Sequence, residues 1–381
     1  MAGPAFRRIL LLSALLAVAA HSALAAAPGR DDWWYTLRRG QAMFARGDYG
    51  NALLAFEDAR RDRLAMYEGM ERDLVDFLSL SDARRLGDSL DLAERVIRER
   101  HFTRAAAALD ELYFRVPRER FGNSAAAALD AIGRLRHFPE AEMWIGRTLR
   151  AGGELGLAVR QFELALSHRD LLENPADGTE ILYEIAAIRR ARDEFREMER
   201  VLLSILDDSV LWAGAGEGWQ AGTFARDAMT RTLQLNGAER LITLYRYGNA
   251  TTLRAHRELG LFYASSGRHG RAQEHLMFAF IIQNTLIIDE LIRRRFDFSF
   301  TTLEALADEI RRDAFLSEYA EETGYFSVAF YLGNSLFGNG HAARAREIWS
   351  FLSVRDEAGE WQVRAASQLR SPRVAPLAVV Q

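Results

Sequence analysis

A recurring register of small residues set among helix-spaced bulky ones constrains this chain more than any other feature. In LGLFYASSGRHGRAQEHLMFA, Leu259, Tyr263, Leu276 and Phe278 keep helical spacing, and Ser265-Ser266-Gly267 interrupts it with turn chemistry. The spacing predicts a helix, a tight turn and a second helix. Gly260 and Ala272 sit one on each helix, where a hydrogen or a methyl lets two backbones approach closely. The pattern recurs. The first copy, from Trp33, has Gly40, Gly47, Tyr49, Ala52, Phe56 and Ala59; another, from about Leu86, has Ala93, Phe102, Ala105 and Leu109. From Pro139 come Gly146, Gly153, Ala158 and Phe162, and from Thr179 Ala186 and Leu202, with Met198 where the small residue belongs. The copy from Phe326 carries Gly333, Gly340, Ala345 and Trp349. A degraded copy spans 222–252, with Met229 in the small position.

This order resembles the tetratricopeptide repeat (TPR), whose first helix carries Leu, Gly/Ala and Tyr and whose second carries Ala, Phe/Leu and Ala after a turn glycine. The copies cover roughly half the chain. Only Pro117 stands at the family's closing proline position. The resemblance implies an all-α fold, an α-solenoid in which helix hairpins stack into a superhelix with a C-terminal capping helix, expected at Glu360 to Leu369. Gly40, Ala52, Ala93, Ala105, Gly146, Ala158, Gly260, Ala272, Gly333 and Ala345 are then the residues on which the hairpins pack. The starts at 33, 86 and 139 are evenly spaced and longer than the usual period. The extra residues, about 65–82 and 118–136, look helical, so three-helix units fit the N-terminal half. A pairing with Phe138 and Ala141 ending one unit fits as well. The expected divisions are repeats over 28–206, a Gly/Trp loop over 207–222, repeats with an inserted helix near 302–317 and a cap over 223–370, and a loose tail over 371–381.

The first 27 residues read as a signal peptide. Arg7 and Arg8 precede an apolar run from Ile9 to Ala20, and Ala23-Leu24-Ala25 has the small-x-small cleavage pattern. The expected location is the periplasm, with no cysteine to carry a lipid or form a disulfide. The formal charge of −4, more acidic after cleavage, argues against nucleic acid as a partner. Every basic residue is Arg, so Arg marks all surfaces of this chain. Leu276 to Ile292 is apolar, but Gln283, Asn284, Asp289 and Glu290 make it a buried core helix rather than a membrane span.

No motif supports catalysis, a metal or a cofactor. GAGEGWQAG follows no strand, His269 and His275 do not share a face at ligand spacing, and no nucleophile elbow occurs. Binding is better motivated. The TPR geometry implies a concave groove lined by first helices, here at Trp34, Leu37 and Gln41, then Leu90, Glu94 and Ile97. Met143, Arg147 and Arg150 follow, then Tyr183, Arg190, Arg254, Arg257, Phe330 and Asn334. Arg147, Arg150, Arg190, Arg254 and Arg257, with Tyr183, are the expected partner-binding residues, suited to the carboxylates of an acidic peptide. The expected function is a periplasmic scaffold or adaptor holding a protein segment, with Trp212 and Trp219 offering a second surface, self-association included. The alternative is a transporter accessory that holds a small molecule among Arg147, Tyr183 and Arg190.

Overall fold

The computed structural model describes residues 32–80, 89–207 and 219–374. The signal segment, Trp212 and the last seven residues lie outside these, as does the side chain of Trp219. The described residues form helices and connecting turns without a strand, so the fold is all-α. Two compact units divide between Gly178 and Thr179, not at 207–222. The reason is packing: Leu202, Ile205 and Leu206, before that loop, share one core with Met229 and Leu233, after it.

Unit 1 begins with the hairpin α1 (Asp32–Ala45) and α2 (Tyr49–Leu78). Next come α3 (Leu90–Glu99), α4 (Thr103–Arg115), α5 (Ala125–Leu135), and the hairpin α6 (Pro139–Ala151) and α7 (Leu155–Ser167). Residues 65–78, expected as a separate helix, instead continue α2. No Gly–Pro break interrupts that stretch, and Tyr67, Met70, Leu74 and Phe77 extend its apolar face into a second core shared with α3, α4 and α5. The first half of α2 packs on α6 in a different core, built on Trp33, Phe56, Phe138 and Ile145. Arg63 sits between them: it is buried, donates from Nε to the Leu135 carbonyl (2.8 Å), and stacks on Trp33 and Phe138 at 4.8 Å.

The hairpin α8 (Ala176–Ala191) and α9 (Phe195–Asp207) leads into unit 2. There follow α10 (Trp219–Asn236), α11 (Ala238–Leu244), and the hairpin α12 (Ala250–Ser265) and α13 (His269–Arg294). The helix α10 starts inside the stretch expected as loop. The inserted helix is two, α14 (Leu303–Arg312) and α15 (Ala314–Thr323), because Asp313 stops the first and caps the second, accepting from Phe315 N (2.9 Å) and Leu316 N (3.1 Å). The hairpin α16 (Tyr325–Gly338) and α17 (Ala342–Ser353) packs its first helix on α13, and α18 (Glu360–Arg370) packs on α17. Among the described residues, α13 alone is long and apolar enough to cross a membrane, and it is a core helix: from Leu276 to Thr285 every side chain is buried. The amide Asn284 is satisfied there by donating to the Phe280 carbonyl (2.7 Å) and accepting from the Tyr325 hydroxyl (3.0 Å).

One register underlies the hairpins. A Cβ added at Gly40 would lie 2.6 Å from the Phe56 ring; at Gly146, 2.7 Å from Phe162; at Gly260, 2.6 Å from Leu276; at Gly333, 2.7 Å from the Trp349 indole nitrogen. In each hairpin the second helix thus drives a bulky side chain, sixteen residues on, into a hole that only glycine leaves open. Gly47, Gly153, Gly267 and Gly340 have φ of +81°, +84°, +71° and +87°, and the next residue donates back to the first helix. Those bonds are Asp48 N to Met43 O (3.0 Å), Glu154 N to Leu149 O (2.9 Å), Arg268 N to Tyr263 O (2.9 Å) and His341 N to Leu336 O (2.8 Å). In α8/α9, Asp193 takes the positive φ and Ala186 faces the Leu202 position of the register. In α3/α4 the core spacing from Ala93 to Ala105 and Leu109 is kept, but the turn slides one residue, to His101.

Candidate functional site

Unit 2 gathers four of the six expected binding residues on α8 and α12. Tyr183, buried, donates its hydroxyl to Thr251 O (2.8 Å) and accepts from Ala255 N (3.0 Å), which ties α8 to the first turn of α12. Burial pushes its phenol well above the usual range. Arg254 lies over the Tyr183 ring at 4.4 Å and donates to Glu258 Oε1 (2.9 Å), while Arg190 pairs with the other Glu258 oxygen. Glu180 stands 3.9 Å from Arg254. Arg257 donates to the carbonyls of Thr323 (2.9 Å) and Glu322 (3.4 Å), so it caps the end of α15 where carbonyls lack helical partners, and burial lowers its pKa. This cluster is a set of arginines already provided with acceptors. An incoming carboxylate competes with Glu258 and with backbone, which makes the cluster a clasp between helices rather than an open anion site.

In unit 1, Arg147 stacks over Trp144 at 4.8 Å, on the same helix as Arg150. Several positions expected to line a groove are core instead. Leu37, Leu90, Ile97, Met143 and Phe330 are all buried, because the first helices are covered on the faces that carry them. Asn334 is buried too, with no hydrogen-bond partner for either side-chain polar atom.

The sequence did not point to the buried imidazole pair of unit 2. His256 on α12 and His275 on α13 meet Nδ1 to Nδ1 at 3.2 Å, with Phe278 stacked on His256. One ring must donate from Nδ1 and the other accept there, so the contact forbids both from being protonated at once, and burial keeps the two rings neutral. Burial, then the neighbouring His275, lowers the His256 pKa; burial, then Arg271 and Arg226, lowers that of His275 to about 3. Two histidines nineteen residues apart on different helices give no local signal.

Among the described residues each unit carries a sizeable cavity. A cleft of about 690 Å³ in unit 2 is bounded by the starts of α11 and α14 and by α17. Glu239, Glu304 and Glu347 reach it beside Arg344, and burial together with the Glu304 carboxyl raises the Glu239 pKa although Leu303 N donates to it. A groove of about 620 Å³ in unit 1 lies between α2 and α4. Among the described residues no group of three or more His, Asp or Glu side chains has the arrangement to hold a metal ion.

No family model matches the chain. Over 340 residues it is 26% identical to an uncharacterized protein of Treponema pallidum (strain Nichols), a match covering 89% of this chain and 90% of that one. The similarity runs through both units and carries no activity with it.

Proposed function

We propose that this chain is an exported, TPR-like α-solenoid that acts as a scaffold or adaptor, holding a segment of a partner protein in the cell envelope. One observation carries this reading: the same small-residue hole, bulky knob and positive-φ turn recur in hairpin after hairpin, each built to pack rather than to react. Such repeats place long rows of side chains on helix faces, a surface suited to an extended partner. Periplasmic location follows from the signal-peptide reading of residues 1–27.

The test is crosslinking in the host cell followed by mass spectrometry, with Glu258→Gln as a variant that loosens the arginine clasp. Recovery of one dominant envelope protein by the wild-type chain supports the adaptor. Recovery of none refutes it and leaves a small ligand, for which the 690 Å³ cleft is the first place to look.

A further inference from the structure

The groove of unit 1 has a character the arginine clasp lacks. Its α2 wall is a single stripe, Asp62, Met66, Gly69 and Asp73, at three- and four-residue steps. A second cavity of about 370 Å³ shares Asp73 and Arg104 with it and continues past Asp76 to Leu80. From Asp62 to Asp76 the stripe runs on the order of 21 Å at the helical rise. That is the length of several turns of a bound helix.

Three features define what would fit. The floor is open and adaptable: nothing lies within 4 Å of a Cβ added at Gly69, and Met66 and Met70 flank it. The rim is acidic. Asp73 is matched by Arg104 at 2.9 Å and Glu111 by Arg115 at 2.9 Å, while Asp62 and Asp76 have no ion-pair partner among the described residues. At one end stands Trp33, 3% exposed, whose indole N–H has no hydrogen-bond partner. An unmet buried donor is costly, and an acceptor on an incoming chain would satisfy it.

We propose that the groove between α2 and α4 binds a basic segment of a partner protein with one apolar face. Its cations meet Asp62 and Asp76, its apolar side chains lie over Gly69 and the two methionines, and a shift of the buried Trp33 ring toward the groove brings its N–H to a carbonyl oxygen of the segment. This rests on the adaptor reading and gives the partner its chemistry.

The probe is a fluorescein-labelled helical peptide of about 16 residues, long enough to span the stripe at the helical rise, with Leu and Ala on one face and Arg on its flanks; a twin carries Glu for Arg. Binding to the purified full chain is read by anisotropy. The Arg peptide is expected to bind saturably and to weaken with salt, and the Glu twin is expected not to bind. Gly69→Leu, which fills the open floor without changing charge, should weaken binding at least about tenfold, and Asp62→Asn about threefold. Gly69→Ala leaves the groove open and should bind as the wild type does. Equal binding of the two peptides, or a Gly69→Leu affinity within about twofold of wild type, overturns the proposal. The outcomes separate the two ideas. An empty capture in cells refutes the adaptor, whereas capture that persists in a Gly69→Leu chain with unchanged peptide affinity refutes the groove alone.

Discussion

One substitution, glycine to alanine, should act with opposite sign at two helical positions of the same unit. Gly69 lies on α2 with open space where a Cβ would go, so alanine there removes backbone freedom from the unfolded chain and adds no clash. The expected gain is about 1 kcal/mol, the usual difference in helix propensity. Gly146 lies on α6, and its added Cβ would come 2.7 Å from two atoms of the Phe162 ring and 3.1 Å from a third. Ordinary contact is about 3.5–4 Å, so the ring must move by the better part of an ångström. Phe162 is fully buried, so its ring can move only against other side chains. Overpacking of this kind costs about 2–3 kcal/mol, against the same 1 kcal/mol of propensity, for a net loss of about 1–2 kcal/mol. Urea unfolding followed by circular dichroism, with both variants beside the wild type, reads the two changes on one unit. If Gly146→Ala stabilises as Gly69→Ala does, the hole is not filled as described, and the register argument fails with it.

Four further outcomes are expected. The neutral imidazole pair should make unit 2 acid-sensitive. Both histidines have folded pKa values below the unfolded 6.5, so their stabilisation is present above pH 6.5 and lost as pH falls from there. For His275 the loss is about 1.4 kcal/mol per pH unit, or about 2 kcal/mol by pH 5, and His256 adds to it in the same direction. Glu274, whose pKa burial raises, works the other way, so the measurement is the urea midpoint against pH for wild type minus His275→Gln; an unchanged pH slope in the variant would refute the assignment. Arg63→Met should destabilise unit 1 by about 2–3 kcal/mol, because the Leu135 carbonyl loses its donor and the stack on Trp33 and Phe138 is disrupted. Arg63→Lys should not restore it. Tyr183→Phe should cost about 1–2 kcal/mol, read as a lower urea midpoint, since Ala255 N loses its acceptor and Thr251 O its donor. Asp313→Ala should cost about 1 kcal/mol through the lost cap of α15.

The hairpins were legible because they are local: a helix period, a small residue and a turn glycine all fall within a short stretch of sequence. Their cores follow from the same stretch, as Ala52, Ala158, Ala272 and Ala345, all fully buried, illustrate. The continuation of α2 was not legible. A helix pattern says where a face is apolar, not whether two successive patterns are one rod, and nothing between Arg60 and Ala65 marks a stop or forbids one. The break at Asp313 did carry a signal, an N-cap residue within an otherwise helical run, but capping residues also occur on helix surfaces. The arginines misled for a different reason. Their acceptors come from elsewhere in the fold: Glu258 reaches Arg190 from another helix, and the Thr323 carbonyl reaches Arg257 from a helix end more than sixty residues away. The groove between α2 and α4 depends on which helices become neighbours, a tertiary fact. Gly69 and Asp62 look like ordinary surface residues until α4 is placed beside them.

The knob-and-hole pairs also bear on how the nascent chain chooses its partners. Where the knob is an aromatic ring, as at Phe56, Phe162 and Trp349, the hole is glycine; where the first helix offers Ala93 or Ala186, the matching position is Leu109 or Leu202. A first helix bearing alanine cannot receive a ring, so α3 rejects the second helices of its neighbours and waits for α4. A chain of near-identical hairpins invites exchange between them during synthesis, with the wrong second helix docking on the first helix that has emerged. The volume match thus bars ring-bearing second helices from alanine-bearing first helices and makes that kind of exchange costly before any long-range contact has formed.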